Sequence, residues 1–458
     1  MAKKKGAPAS PFVPVEEQPY PIPENWCWTY LGTYIDFATD YVANGSFADL
    51  KANVQIYKEE NYALMVKTAD FANGFTKSLT YTNKRGYEYL GKSVLYGGEL
   101  ILSNIGSIGK VFRVPFLNRP MTLASNSIMI KCYNEQDYDW LYYFFLSPIG
   151  LEELLSITTG TAVLKFNKTD LKTIALPVPP LHEQQRVVSR IESLFAKLDE
   201  AKEKAQAVVD GFELRKSAIL HKAFTGKLTE QWRKEHGGHL SDWTNTTLSE
   251  IVSGFKYGTS EKSTYNNTGM PVLRIPNVGD GILKFEDMKY LAHNDVDEAN
   301  QVHENDLLII RSNGSRDLVG KCAIVPALSR EFSYASFLIR IKPSEQILPD
   351  YLALYLNSTD ARAQMFKKAK SSAGIHNINS QELGSITINV PTVYEQSAII
   401  AVLDSLLSKE QQAKETAEAV LVQIDTMKKA ILARAFRGEL GTNDLAEASA
   451  AELLRTVL

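Results

Sequence analysis

The sequence predicts a mixed α/β (α+β) protein in which two globular domains are separated by two long antiparallel helices that form a coiled coil. The first supporting observation is that residues 181–228 reappear at 393–440, with roughly 19 of 46 aligned pairs identical. The second is that the globular segments before these stretches also repeat. The third is a heptad-like spacing of apolar residues within both stretches. Together they predict an internal pseudo-two-fold repeat.

Each repeated stretch is predicted to be a long helix. Pro179 and Pro180 precede the first stretch and Pro391 precedes the second, and proline disfavours helix at its own and the preceding position. A Glu-Gln pair then begins each helix, where a carboxylate suits the positive N-terminal end. At 1.5 Å per residue each helix would span roughly 60 Å.

Apolar residues within both helices step by alternating threes and fours, which is the period of a coiled-coil seam. The predicted seam consists of Ile191, Leu194, Leu198, Ala205 and Phe212 in the first helix and Leu403, Leu406, Ala417 and Ile424 in the second. Glu410 interrupts the second seam. Small alanines near the middle would let the two backbones approach closely, which makes each helix the natural partner of the other. The alternative is an ordinary amphipathic helix packed on its own domain.

Length and composition favour a multidomain protein of a reducing compartment. With 458 residues, 44% hydrophobic content and a net charge of −3, the chain is expected to form two or three domains without a uniformly basic surface. Cys27, Cys132 and Cys322 lie far apart, which argues against a disulfide framework or structural zinc. The lysines at 3–5 precede a proline-rich stretch, so neither a signal peptide nor a membrane span is expected. A reducing cytoplasm fits best.

The predicted domain boundaries follow from the repeat and from proline-rich or polar connections. They are an extended, flexible N-terminal arm (1–22), a first globular domain (23–180), the first long helix (181–227), a linker (228–240), a second globular domain (241–392), the second long helix (393–438) and a short acidic tail (439–458).

The two globular domains are predicted to share one fold with different loops. Glu99 and the apolar run after it match Asp306 and its run, and the Gly-Lys pair at 109–110 matches that at 320–321. The offset between matched residues drifts within the globular parts and is constant within the helices. Such a pattern is typical of two versions of one recognition domain on a common scaffold. If the helices pair antiparallel, the domains lie at opposite ends of a rod, which could span DNA half-sites about 34 Å apart.

The residues around each helix carry a family resemblance. LPVPPLHEQ at 176–184 is followed by a long helix that closes on AFTGKLTEQWR at 223–233, and NVPTVYEQ at 389–396 is followed by AFRGEL at 435–440. This doubled pattern resembles the specificity subunit of type I restriction–modification systems, over nearly the whole chain. The short acidic tail after Gly441 departs from relatives with longer tails.

The resemblance implies a non-catalytic subunit with two target-recognition domains, each reading one half of a bipartite, asymmetric sequence in double-stranded DNA. The coiled coil would set the spacer and dock two modification subunits, which bind S-adenosylmethionine and methylate adenine. Restriction subunits, which combine a motor and a nuclease and need ATP and Mg²⁺, would join that core. No cofactor is expected in this chain itself.

Candidate DNA contacts in the second domain are polar, basic or aromatic residues in predicted loops. Arginine suits guanine O6 and N7, asparagine suits adenine N6 and N7, and lysine suits phosphate. These candidates are Arg311, Ser312, Asn313, Ser315, Arg316, Lys256, Tyr257, Lys262, Arg274, His376 and Asn377. Their counterparts in the first domain are Asn104, Ser107, Lys67, Tyr41, Lys165 and Asn167. An ordinary surface hairpin or solvated lysine is the alternative for each.

The sequence gives little support to a catalytic function for this chain. A methyltransferase would need an Asn/Asp-Pro-Pro-aromatic site, which the sequence lacks. The loop 106–110 is too short for a phosphate loop, and Val111 replaces the Ser or Thr that binds magnesium. Asp280, Asp287 and Lys289 can be read as a metal-nuclease triad, although such spacing is common. The remaining alternatives are a coiled-coil adaptor that binds proteins, or the DNA-reading arm of another methyltransferase system.

Overall fold

The computed structural model describes residues 10–372 and 374–457, which form two compact units. The first unit contains the described residues up to Lys204 and those from Val420 onward. The second unit runs from Ala205 to Ala419. Each unit therefore combines one globular domain with the start of one long helix and the end of the other. The lysines at 3–5 lie outside the described residues.

The first unit is built on a four-stranded antiparallel sheet whose strands lie in the order Ile35–Asp40, Ser127–Cys132, Leu100–Ser103 and Val111–Arg113. A second, five-stranded sheet has the order Ile56–Tyr57, Tyr81–Thr82, Ala63–Val66, Met121–Leu123 and Val94–Leu95. Cys27–Tyr30 pairs antiparallel with Ala175–Val178. The helices of this domain are Leu31–Tyr34, Phe47–Asn53, Thr68–Ala72, Lys84–Tyr89, Glu135–Leu146, Pro148–Ser156 and Lys168–Leu171.

The second unit repeats the central sheet in the same order, with Val252–Tyr257, Leu338–Pro343, Leu307–Ile310 and Cys322–Ile324, and adds Gly281–Ile282 at its edge. Its other sheets are Lys289–Tyr290, Pro271–Leu273 and Ser333–Tyr334; Ser312–Asn313, Ile375–Asn377 and Lys370–Ser372; and Thr244–Thr247 with Thr387–Val390. Its helices are Phe212–Phe224, Glu230–Glu235, Leu248–Ile251, Pro349–Leu356, Thr359–Lys368 and Ser380–Gly384. The shared topology confirms the predicted repeat of mixed α/β domains.

The long helices are antiparallel within each unit. In the first unit Asp199 contacts Lys428 and Lys202 contacts Asp425, so the numbering rises on one helix as it falls on the other. In the second unit Arg215 binds Glu410 at 2.7 Å. Glu410, the predicted lapse in the seam, is therefore paired with an arginine from the facing helix.

The predicted seam residues face inward. Ile191, Ala205, Phe212, Leu403, Ala417 and Ile424 are buried, and Leu194, Leu198 and Leu406 are half-buried. In the first unit Ile191 joins a core that also contains Trp140 and Phe436, while in the second Leu403 joins a core with Phe224. The end of each helix thus packs into a globular core as well as along its partner.

Helix bounds differ from the prediction at three places. The first helix spans Leu181–Asp210 and resumes as Phe212–Phe224, because Gly211, a poor helix former, separates the two segments. It stops before residue 227 because Gly226 takes a φ of 75°, and the second helix, Val393–Ala435, stops before residue 438 because Gly438 takes a φ of 72°. Both glycines allow the left-handed turn that terminates a helix.

The arm and the linker are more ordered than the sequence suggested. Within the arm's described part, Phe12 forms a β-bridge with Thr29 and Val13 is buried, so residues 10–22 pack on the first domain instead of forming a flexible extension. The linker contains the helix Glu230–Glu235. The tail contains the helix Ala450–Val457, and its Ala450 is buried in the core of the first unit.

Candidate nucleic-acid interface

Arg311 lies at the end of the buried central strand of the second domain. Its guanidinium carbon is 4.6 Å from the centroid of the Tyr257 ring, and its Nε and Nη2 are each 3.4 Å from Asn377 Oδ1. The aromatic face and the amide oxygen hold the guanidinium in one orientation. A fixed fork of N–H donors at the edge of a domain is suited to bidentate recognition of a base or a phosphate.

Short strands surround this arginine and bring other predicted contacts to it. Ser312 pairs with Asn377, and Asn313 pairs with His376. All four side chains are half-buried at the surface. The Tyr257 hydroxyl lies 3.1 Å from Ser380 Oγ and accepts a hydrogen bond from the Ser380 backbone N–H. The structure therefore gathers the predicted loops at 255–262, 311–316 and 376–377 around Arg311, and adds Ser380.

Asn104 occupies the position of Arg311 in the first domain. The Phe166 N–H donates to the Asn104 carbonyl at 3.1 Å, as the Ile378 N–H donates to the Arg311 carbonyl at 2.9 Å. Beside it, Ile105 forms a bridge with Lys165, in the place where Ser312 pairs with Asn377. The first domain thus presents the amide of Asn104 and the ammonium of Lys165, where the second domain presents the guanidinium of Arg311 and the amide of Asn377.

Asn104 is only partly satisfied by the protein. Its Nδ2 donates to the Phe166 carbonyl at 3.0 Å, while its Oδ1 is buried and accepts no hydrogen bond within the described part of the chain. A buried acceptor without a donor is costly.

A second pair of positions also differs between the domains. Asp40 ends the strand that corresponds to the Tyr257 strand, and Lys168 Nζ binds Asp40 Oδ1 at 2.9 Å. An ion pair therefore stands where the second domain has the Tyr257–Ser380 hydrogen bond. Neither Asp40 nor Ser380 is among the predicted contacts, although the match of Asn167 with Asn379 in the sequence pairs Lys168 with Ser380.

Lys67 and Arg274 lie at matching strand ends, but both already have partners. Lys67 Nζ donates to the Ser78 carbonyl at 2.8 Å and is 3.7 Å from Asp70 Oδ1. Arg274 Nη2 binds Asp287 Oδ2 at 3.1 Å. These contacts orient both cations within their own domains, so a phosphate would have to compete for them.

The remaining predicted DNA contacts differ in how far their side chains are exposed to solvent. Lys256, Lys262, Ser107 and Lys165 are exposed, and Ser315 and Arg316 are exposed in the loop after Asn313. Tyr41 is half-buried, and burial raises the pKa of its phenol. Asn167 is exposed, and its side chain caps the helix Lys168–Leu171 by accepting from the Thr169 and Asp170 N–H groups. All of them stay predictions as DNA contacts.

Asp280 and Asp287, the acidic residues of the possible metal-nuclease triad, belong to separate ion pairs. Asp280 binds Lys321 at 2.9 Å, whereas Asp287 binds Arg274 and Tyr265. Across the described ranges, no group of three His, Cys, Asp or Glu residues could hold a metal ion. The three cysteines are buried and unpaired, and burial raises the pKa of the Cys27 thiol to about 12. Within the described residues, no helix has the length and apolar character to cross a membrane.

Two domains of one topology, each with a chemically distinct polar cluster at the end of its central strand, define a tandem-domain recognition protein with an internal antiparallel helix pair. The chain belongs to the type I restriction modification DNA specificity family, whose domain matches residues 42–209 and 240–420.

The chain is similar to specificity subunits of type I restriction enzymes. The chain is 27% identical over 303 residues to the specificity subunit of the type I restriction enzyme EcoKI of Escherichia coli K12, covering 66% of this chain and 65% of that relative. It is 25% identical over 453 residues to the MjaVIII specificity subunit of Methanocaldococcus jannaschii, covering 93% and 95%. A chain solved in work on complex assembly and conformational transition of the type I R-M system superposes with a TM-score of 0.65 at 18% identity, covering 92% of this chain and 100% of that chain.

Proposed function

We propose that this chain is the non-catalytic DNA specificity subunit of a type I restriction–modification complex. Each globular domain reads one half of a bipartite target in double-stranded DNA. The observation that carries the proposal is the placement of Arg311 and Asn104 at equivalent positions on one shared fold. The two side chains differ in the bases that they recognise best, because a guanidinium donates two hydrogen bonds to guanine whereas an amide both donates to and accepts from adenine. The target is therefore asymmetric.

The helix pair sets the spacing between the half-sites. Its support is the antiparallel contact found within each unit and the length of the second helix, whose 43 residues span roughly 65 Å. That length exceeds the roughly 34 Å between half-sites one DNA turn apart. A helix of this length is therefore long enough to cover the distance between two half-sites of one duplex.

The chemistry of methylation and cleavage belongs to partner subunits. Two modification subunits that bind S-adenosylmethionine dock on the helix pair, and restriction subunits supply ATP- and Mg²⁺-dependent cleavage in the bacterial or archaeal cytoplasm. This assignment is supported by the family match and by relatives named as specificity subunits of restriction enzymes. The purified chain is expected to show neither methylation nor cleavage without these partners.

Substitution of each of the two equivalent residues by alanine tests the proposal. Methylome sequencing of cells that express this chain with its modification subunit should show one bipartite adenine-methylated sequence. Arg311→Ala should relax one half of that sequence and Asn104→Ala the other, each at about 1–3 kcal/mol per lost bidentate contact. The matched control is Arg119→Ala, which removes an arginine that also stacks on a tyrosine ring but is not a predicted DNA contact, and it should leave both halves unchanged.

A methylome without a bipartite sequence would contradict the proposed function. If Arg311→Ala instead weakened binding equally for all sequences, Arg311 would be a phosphate contact and the base-reading role would pass to its neighbours.

A further inference from the structure

A second cluster of cations lies on the second domain, on the helix Thr359–Lys368. The guanidinium carbons of Arg316 and Arg362 are 4.8 Å and 5.0 Å from the centroid of the Phe366 ring. Two like charges on one aromatic ring repel each other, so the arrangement favours an anion between or beside them. Lys367 and Lys368 add two further cations in the last turn of the helix.

The two arginines are not held in ion pairs within the domain. Within the ranges that the structure describes, neither Arg316 nor Arg362 lies within salt-bridge distance of a carboxylate. Arg362 Nη2 donates to the Asp317 backbone carbonyl at 2.6 Å. The carboxylates that act on Arg362 are Asp280, which is itself bound to Lys321 at 2.9 Å, and Asp317. Burial lowers the pKa of Arg362, and these two carboxylates only partly oppose that effect.

The cationic face is continuous with the cluster around Arg311. The strand Lys370–Ser372 follows the helix directly and pairs with Ile375–Asn377, which in turn pairs with Ser312–Asn313. Arg316 lies in the loop that leaves Asn313. A duplex whose bases reach Arg311 would therefore run its backbone close to Phe366.

The first domain carries a different surface at the equivalent helix. Ser147 caps Pro148–Ser156 by accepting from the Gly150 N–H, as Ser358 caps Thr359–Lys368 by accepting from the Ala361 N–H. Counted from these capping serines, Leu151 is equivalent to Arg362 and Leu155 is equivalent to Phe366. Both leucines are exposed, at 39% and 43%. The first domain therefore has apolar side chains where the second has a stacked arginine.

We propose that Arg316, Arg362 and Phe366 form a phosphate-binding face by which the second domain grips the DNA backbone beside its half-site, and that the first domain lacks this grip. The inference rests on the proposed function. Stacking on Phe366 holds the two guanidinium groups in place, so their N–H forks can each bind a phosphate bidentately with little further loss of side-chain entropy. Binding to phosphate adds affinity without adding sequence preference.

The test is the salt dependence of duplex binding by the full chain assembled with its modification subunits. Each phosphate contact contributes about 0.9 to the slope of log affinity against log salt, so the double variant Arg316→Gln/Arg362→Gln should lower that slope by about two. Between 50 and 200 mM salt the unchanged protein would then lose about tenfold more affinity than the variant. The methylated sequence should stay the same.

Three further variants make the result specific. Arg119→Gln in the first domain removes an arginine that also stacks on a ring, that of Tyr81 at 4.9 Å, but is bound to Glu60, so its slope should not change. Arg316→Lys/Arg362→Lys keeps both charges and should restore most of the slope. Leu151→Arg places a cation at the equivalent position of the first domain and should raise the slope by about one.

An unchanged slope in the double variant, an equal loss in Arg119→Gln, or a change in the methylated sequence would overturn the phosphate assignment while leaving the proposed function intact. Loss of assembly with the modification subunits would reassign the face to a protein contact. If the double variant does not fold, Arg316→Gln alone, in an exposed loop, should lower the slope by about one. Absence of salt-dependent binding by the unchanged protein would overturn both proposals.

Discussion

At the scale of single residues, the two halves of the chain use different partners to bind an equivalent buried carboxylate. Glu183 and Glu395 begin the two long helices and are both buried. Glu395 binds Arg233 at 2.9 Å and also accepts from Thr229 and Trp243. Glu183 is bound by Thr442 and by Arg186 of its own helix. The second unit thus uses its linker, and the first uses the tail, to satisfy the same carboxylate.

Burial makes the Glu183 carboxyl sensitive to pH. Desolvation raises the pKa of Glu183, and hydrogen bonds from Thr442 and Arg186 only partly oppose it. A carboxyl whose pKa is raised on folding binds its proton more tightly in the folded state, so its contribution to stability is present at low pH. That contribution is lost as pH rises through the raised pKa.

Removal of the buried arginine should destabilise the second unit. Arg233 and Glu395 are 6% and 5% exposed, and Arg233→Ala would leave the Glu395 carboxylate buried without a counter-charge. We expect a loss of about 3–5 kcal/mol in the free energy of unfolding, measured by urea titration of the full chain. The matched control is Lys234→Ala, which breaks an exposed pair with Glu230 and should change stability by less than about 1 kcal/mol. Equal effects of the two variants would contradict this role.

At the scale of elements, each long helix ends at a repeated Phe-X-Gly sequence. The phenylalanines Phe224 and Phe436 are buried in the cores of their units, and Gly226 and Gly438 turn the chain with positive φ. The sequence repeat located both helix ends to within a few residues. It did not show that the residues after each glycine return to the start of a long helix, because that return depends on contacts between distant segments.

A side chain at Gly438 should destabilise the first unit more than one at Gly441. Both glycines have a φ near 70°, so alanine is strained at either position. A Cβ at Gly438 would also lie 2.4 Å from Pro23 Cγ, whereas one at Gly441 would meet nothing within 4 Å. We expect Gly438→Ala to cost about 1–3 kcal/mol beyond Gly441→Ala, measured by thermal unfolding. Indistinguishable melting temperatures would show that the Pro23 segment moves freely aside.

At the scale of the whole molecule, the last described residues of the chain pack against the first globular domain. The tail packs within the first unit, where Arg186 binds Glu447 at 2.8 Å and the Asn25 carbonyl accepts from the Ala450 N–H. In the second unit the linker takes the corresponding place through Thr229 and Arg233. Each unit is thus completed by a segment that is distant in sequence.

Lengthening both helices should lengthen the spacer of the DNA target. Insertion of seven residues near Ala205 and seven near Ala417 keeps the apolar seam in phase and adds roughly 10 Å of helix. We expect the methylated sequence to keep both half-sites while its spacer grows by up to about three base pairs, as read by methylome sequencing. A matched insertion in only one helix should abolish methylation. Altered half-sites with an unchanged spacer would refute the role of the helices in spacing.

The sequence by itself determined the repeat, the two α/β domains and the long helices with their seam, because these follow from local periodicity and from self-similarity. The motifs around each helix indicated the family by resemblance. It also selected Arg311, Asn313 and Asn377, since polar residues after an apolar strand mark a loop at a sheet edge. Only the tertiary structure paired Arg311 with Tyr257, matched Asn104 to Arg311, and brought Arg316 and Arg362 to one ring. These relations join residues that are dozens of positions apart, and they depend on strand register and helix packing, which single-residue patterns do not encode.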